Sequence, residues 1–298
     1  VWNNKYDRIL EDIFDVQDEI VRKISYTLLG EIELSSLQRA NRKPTDTLSS
    51  YELLLKGKAL HHKVQKDALL NALDTFDSAI KADEKNGQAY AWKACALGQG
   101  LFRGYIEEDF NVVWKQAEDN LKKARELNEN DFEVHRLMSE VTLAMKDFRA
   151  AQRHSKLAYD MVPNDPRVLS VYGDVCVRTG KVDEGVDALK LALDLDPIPQ
   201  GKTNADPRHA GLLFAYYMSR DKDGCLEQIG HLDEIDVRSW LITTKICSDE
   251  EHDYENLDWF KEGKKLFADK DWEKVVPDFR LNNDSASEAL IEFGKGLF

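Results

Sequence analysis

The chain has 298 residues with 55 acidic and 41 basic side chains, a net charge of −14, 42% hydrophobic and 32% charged residues, and a pI near 5.0. This suits one large or two ordinary packed domains and excludes wholesale disorder. The acidic excess, unbroken by any Lys or Arg block, speaks against nucleic acid as a partner, and no apolar run reaches the ~18 residues of a bilayer crossing, so no membrane insertion is expected.

The chain opens Val1-Trp2-Asn3-Asn4-Lys5, without an initiator Met, an apolar signal core or a small-residue cleavage pattern, and reads as a piece cut from something longer. Asp12 and Asp15 offer N-cap oxygens to a stretch with Val16, Ile20, Ile24, Leu28 and Ile32 at intervals of four. This predicts one helix over about 15–41, ended by Lys43-Pro44, because the residue before a proline is driven out of helical backbone. Residues 1–45 are thus a junction segment and a long capping helix. A solenoid exposes an apolar face at each end, so this helix is expected as a lid on a repeat domain spanning 46–298.

Small residues then recur in pairs seven apart: Ala72 and Ala79, Ala117 and Ala124, Ala151 and Ala158, Gly185 and Ala192, and Cys225 with Leu232. The first members stand 45, 34, 34 and 40 residues apart, two intervals at the tetratricopeptide period and two longer by loop insertions. Each pair marks a crossing where two antiparallel helices approach closely. A larger knob lies between the pair in most copies: Phe76, Leu121, Leu189 and Ile229. The fourth copy is the clearest. Leu169, Tyr172, Gly173 and Cys176 lie on its first helix, Gly180-Lys181 in its turn, and Gly185, Leu189 and Ala192 on its second helix, with Pro197 as terminator. Pro163 terminates the preceding repeat in the same way. About five to six hairpins are expected, with residues 286–297 as a short apolar helix closing the last one.

Residues 50–268 resemble the tetratricopeptide repeat family, most closely over 166–197. The copy from Gly87 carries Tyr90, Ala94, Ala117, Leu121 and Ala124, its turn stretched by residues 103–109. The copy at 131–163 has Met138 in place of Gly and Ser155 in place of Phe, 206–236 is degenerate in the same way, and 237–268 is weaker still. The resemblance implies an all-α fold, a right-handed α-α superhelix of helical hairpins. Residues 2–20 carry a second resemblance, to the junction in bacterial proteins where a small α/β domain similar to the amino-terminal domain of TolB precedes such repeats. Regions of this kind are attached to class III adenylate or guanylate cyclase domains or to winged-helix regulators, and Val1-Trp2 would end the preceding domain's last strand. The family's chaperone-tail binders clamp a carboxylate with Lys and Asn; here Leu54 and Lys58 fill the first pair, Trp92 and Phe132 replace later members, and only Arg136 matches. A carboxylate clamp is not expected.

No catalytic constellation emerges. The seven histidines, His61, His62, His135, His154, His209, His231 and His252, lack zinc-protease spacing, and His61-His62 are neighbours expected on different helix faces. Gly98, Gly100 and Gly104 miss the dinucleotide-loop spacing and read as a flexible turn. Cyclase chemistry needs metal-binding aspartates on a βαβ scaffold, and no strand pattern holds them here. Asn283-Asp284-Ser285 is a chance sequon. The acidic runs at 107–109 and 249–251 lack EF-hand spacing. Cys95, Cys176, Cys225 and Cys247 stand far apart and read as buried apolar side chains. No enzyme activity, metal or cofactor is expected.

The inner surface of such a superhelix is lined by the first helix of each pair. The register places Tyr51, Leu54, Lys58, Gln88, Ala91, Phe132, His135, Ser139, Arg167, Ser170, Asp174, Arg178, Ala210, Phe214, Tyr217, Arg238 and Lys245 there, with about half expected to pack against neighbouring helices. Aromatics beside Arg and Lys suit an extended peptide or short helix with acidic and apolar side chains. Two functions stay open. One is a regulatory module that binds a protein or peptide, or self-associates through its ends. The other is a sensor enclosing a small molecule near Trp92, Phe102, Tyr105 and Trp114. The cysteines favour a cytoplasmic location; a membrane helix upstream would make it periplasmic.

Overall fold

The structure, a computed structural model, describes residues 30–43, 48–199 and 202–298. The junction segment, the expected caps at Asp12 and Asp15 and the helix start lie outside the described residues. All regular structure among the described residues is helical. The described portion of α1 covers 30–40. Six antiparallel hairpins follow: α2 (Ser50–His61) with α3 (Lys66–Ala82), α4 (Gly87–Phe102) with α5 (Phe110–Leu127), and α6 (Phe132–Ala144) with α7 (Phe148–Met161). Then come α8 (Pro166–Arg178) with α9 (Val182–Leu195), α10 (Asp206–Ser219) with α11 (Lys222–Ile229), and α12 (Val237–Asp249) with α13 (Asp258–Leu266). The one-turn α14 (Trp272–Val275) runs into a 3-10 turn (Val276–Phe279), and α15 (Asp284–Gly296) follows.

The first helices stack on one another from α2 to α12, and each second helix also touches the first helix of the next hairpin. This makes a superhelix whose inner layer is the even-numbered helices α2 to α12. The helix starts follow from capping. Ser49 and Glu52 form a reciprocal capping box at α2. Asp109, Asp131, Asp165 and Asp236 each accept two backbone amides at the starts of α5, α6, α8 and α12. Pro163 and Pro197 stand one residue past the C-caps of α7 and α9.

The paired small residues lie at the helix crossings: Ala72, Ala79, Ala117, Ala124, Ala151 and Ala192 are fully buried on the second helices. The α8 and α9 crossing brings two backbones together. A Cβ on Gly173 would stand 2.7 Å from Leu189 Cγ and 2.9 Å from the Gly185 carbonyl. Leu232 departs from the expectation: α11 is only eight residues long, so Leu232 falls in the turn after it. Gly98 and Gly100 sit inside α4 and not in a turn; Gly100 has no Cβ so that Ile106 can fold onto the helix, and Gly104 alone takes positive φ, at 66°. Ile32, expected on the buried stripe of α1, is 58% exposed, whereas Ala40 is fully buried in the cluster formed by α2 to α6.

The C-terminal region closes around Trp240 of α12, fully buried against Phe260, Phe267 and Trp272. Gly263 of α13 lies flat on that indole, where a Cβ would come within 2.1 Å. α15 packs on α12, α14 and the 3-10 turn.

Candidate functional site

The inner face divides into two regions according to which side chains the fold itself has already engaged. Towards the N-terminal half, Lys58 of α2 meets Glu33 of α1 at 3.1 Å and Glu133 of α6 at 3.9 Å. Arg136 Nε donates to Glu133 at 2.9 Å and its Nη1 to Glu140 at 2.8 Å. Arg167 of α8 stands 3.8 Å from Glu133. Burial works against ionising Glu133, yet Arg136, Arg167 and Lys58 outweigh it and hold the carboxyl well below the usual range. Trp92 lies beneath this cluster, with Lys58 and Arg136 over its ring at 5.5 and 5.4 Å. The network is charge-balanced and knits α1, α2, α6 and α8 together.

His61 and His62 both pack edge-on against Trp92, each at 5.4 Å, whereas neighbours on a helix are expected to diverge. The reason is that His62 is the C-cap of α2. Among the described residues no three His, Cys, Asp or Glu side chains are placed to hold a metal ion. Burial pushes the Cys176 and Cys247 thiols up to about 11, which keeps them protonated at neutral pH.

In the C-terminal half the face is already occupied. Residues 276–281 cross it as a strap, with Val276, Phe279 and Leu281 buried. Arg178 of α8 is gripped by Asp174, whose two oxygens accept from its Nε at 3.0 Å. Its Nη1 donates to the carbonyl of Phe279 and, at 2.7 Å, to that of Arg280. Phe214 of α10 lies between the guanidiniums of Arg178, 4.5 Å away, and Arg238, 5.1 Å away. Further along the strap, Arg280 covers the ring of Phe102 on α4 at 5.6 Å.

Several positions expected to line an open groove therefore do other work. Leu54, Ala91 and Ala210 are core residues. Ser139 is fully buried because its hydroxyl donates to the Ala151 carbonyl of α7, and His135 stacks on His154 of the same helix, their Nδ1 atoms 3.0 Å apart. Tyr217 packs at the α11 and α12 contact with Cys225 and Cys247. Lys58, Arg178 and Phe214 are held in the clusters above. Ser170 donates to Pro166 and accepts from Arg208, bridging α8 to α10. Lys245 pairs with Asp249 and lies under Phe293 of α15. Tyr51, at 46% exposure, stays accessible. Phe132 lies under Arg167, with Gln88 beside it bonded to the Asp131 cap. Arg136, which matched the clamp pattern, is buried between two glutamates.

Between the two halves lies a cavity of about 430 Å³, walled by α4, α5, α6 and the strap. Phe102 and Trp114, two of the four residues expected around a small molecule, line it. Trp92 is instead buried beneath the charge cluster, and Tyr105 turns away to donate to the Val64 carbonyl. Sequence reasoning singled out Arg136 but missed Glu133 and Glu140, whose spacing around it on one face of α6 was visible in the chain. It also missed Asp278 and Arg280, for which no local signal exists.

The chain matches no family model and no curated protein. Among solved structures it is similar to the pilF protein of Pseudomonas aeruginosa, at 14% identity and a TM-score of 0.50, over 72% of this chain and 95% of that one. It is also similar to a TPR protein of Thermus thermophilus, at 19% identity and a TM-score of 0.47, over 74% and 100%. A tetratricopeptide repeat protein of Parabacteroides merdae is similar at 13% identity and a TM-score of 0.47, over 94% and 98%. At 14% identity the likeness to the first of these is one of fold.

Proposed function

We propose that the chain is a non-catalytic interaction module of the tetratricopeptide type that holds a peptide segment of a protein partner on the inner face of α2 to α8. The observation that carries this reading is the strap: Arg178 donates to two successive main-chain carbonyls, Phe279 and Arg280. The inner layer thus already holds a polypeptide segment by backbone recognition, with an aromatic ring between guanidiniums beside it. Main-chain bonds of this kind give affinity, and flanking aromatic pockets give selectivity. Tyr51, Gln88 and Phe132 stand at the N-terminal ends of α2, α4 and α6 and offer two aromatic rings and an amide to such a segment. A regulatory role beside a bacterial signalling domain, such as a class III cyclase, rests on the resemblance of residues 2–20 alone. The division at residue 45, a cytoplasmic location and the exclusion of nucleic acid stay with this proposal, the last two supported by four free thiols and a net charge of −14.

Selection from a displayed random-peptide library, followed by calorimetry with the selected peptides, tests it. Saturable binding that falls about tenfold in Tyr51→Ala and Phe132→Ala is the expected result, the loss typical of an aromatic anchor. Selected peptides that bind both variants as tightly as the parent chain overturn the placement. Saturable heat with metabolites alone, and none with peptides, overturns the reading itself.

A further inference from the structure

The cavity between the two halves is lined by groups whose hydrogen-bonding capacity the fold leaves unmet. Its volume of about 430 Å³ falls in the range of small-ligand sites. Phe102, 47% exposed, meets Trp114 edge-on, their ring centroids 6.5 Å apart at 66°. Arg280 comes from the strap and Arg103 from the C-cap of α4. Among the described residues, neither guanidinium has a hydrogen bond or an ion pair, although Arg280 is largely covered. Burial, then the neighbouring Arg178, lowers the Arg280 pKa, against the pull of Asp174 and Asp278. In the same wall Gln99 buries its amide oxygen with no donor to meet it. Glu140 is engaged by Arg136 at 2.8 Å, which leaves Asp278 alone against two guanidiniums.

We propose that this cavity binds a small aromatic carboxylate, its ring packed against the exposed edge of Phe102 beside Trp114, its carboxylate held by Arg280 and Arg103, and a ring N–H or O–H donating to Gln99. Two cations against one acid favour a single negative charge over a phosphate dianion, and a planar guanidinium matches a planar carboxylate. Because one guanidinium belongs to the strap and the other to α4, the ligand ties the C-terminal segment to the N-terminal half. Ligand binding therefore stabilises the whole array, by mass action on the folded state. This inference is independent of the peptide reading: a chain that binds peptides and no carboxylate overturns only the cavity assignment.

Calorimetry on the full 298-residue chain with indole-3-acetate, phenylacetate, phenyl phosphate and uncharged indole-3-acetamide is the test. Indole-3-acetate is expected to bind one per chain and to raise the thermal midpoint. Phenylacetate, lacking the ring donor, is expected to bind more weakly, as is phenyl phosphate. The affinity of the parent chain for the acetamide, and that of Arg280→Gln for indole-3-acetate, are each expected to be about tenfold lower, the loss of one charged hydrogen-bonding pair. Arg103 is exposed, so Arg103→Gln keeps the fold intact and shows the same loss if the strap variant misfolds. Absence of saturable heat with either carboxylate, equal binding of the acetamide, or affinity unchanged in Arg103→Gln overturns the assignment.

Discussion

Three imidazoles are held neutral by their surroundings, which sets how this chain responds to acid. Burial lowers His61 to about 4, with Arg136 and Arg103 adding to it. Burial and the charges of His61 and Arg136 lower His62 to about 3. His154 falls to about 4 through burial and its partner His135. The unfolded chain takes up protons on these groups as pH drops through about 6.5, while the folded chain does not until far lower. Stability is therefore complete above that pH and declines as pH falls from about 6.5 towards 4. Glu140, whose carboxyl burial raises, works in the opposite sense, one group against three. Urea midpoints measured between about pH 7.5 and 5 should fall steadily. A midpoint that holds or rises over that interval contradicts the buried, neutral state of these rings.

At the scale of helices, the α8 and α9 crossing depends on the absence of two methyl groups. Gly173→Ala puts a Cβ against Leu189 and the Gly185 backbone and should cost about 1–3 kcal/mol by overpacking. Gly98→Ala, on a helical position with open space around it, should stabilise by roughly 0.5–1 kcal/mol through helix propensity. Urea unfolding of the two variants checks the contrast; equal effects contradict the tight crossing. The same glycines and alanines made the hairpins legible, because a crossing distance is written in residue size and repeats at a fixed stride. The ends of α7 and α9 and the turn from α8 to α9 were readable for that reason, together with Gly180-Lys181 and the terminating Pro163 and Pro197, whereas Gly98 and Gly100, expected in a turn, lie inside α4. The inner face was less so. On a first helix, the position that faces the groove and the one that faces the second helix differ by one residue, which is why Ser139 and His135 were assigned to the groove and lie against α7. The strap left no trace in the sequence at all, since a contact between Arg178 and Phe279 has no period and no motif.

At the scale of the molecule, the hydrophobic core runs as successive clusters, one spanning α2 to α6 and another from α8 to α15. The strap ties the C-terminal region to α8 and α4 across the inner face, the surface to which the proposed partner and ligand are assigned. The outer, odd-numbered helices carry the amphipathic faces and exposed ion pairs of a solvated wall, such as Lys115 with Asp119 and Lys122 with Glu126, which contribute little to stability. Backbone hydrogen exchange of the full chain, with and without a saturating selected peptide, tests this division most directly. The account predicts slowed exchange in α2, α4 and α6 and in residues 276–281, with α3, α5 and α7 unchanged. Protection confined to the odd-numbered helices, with none on the inner layer, would contradict it.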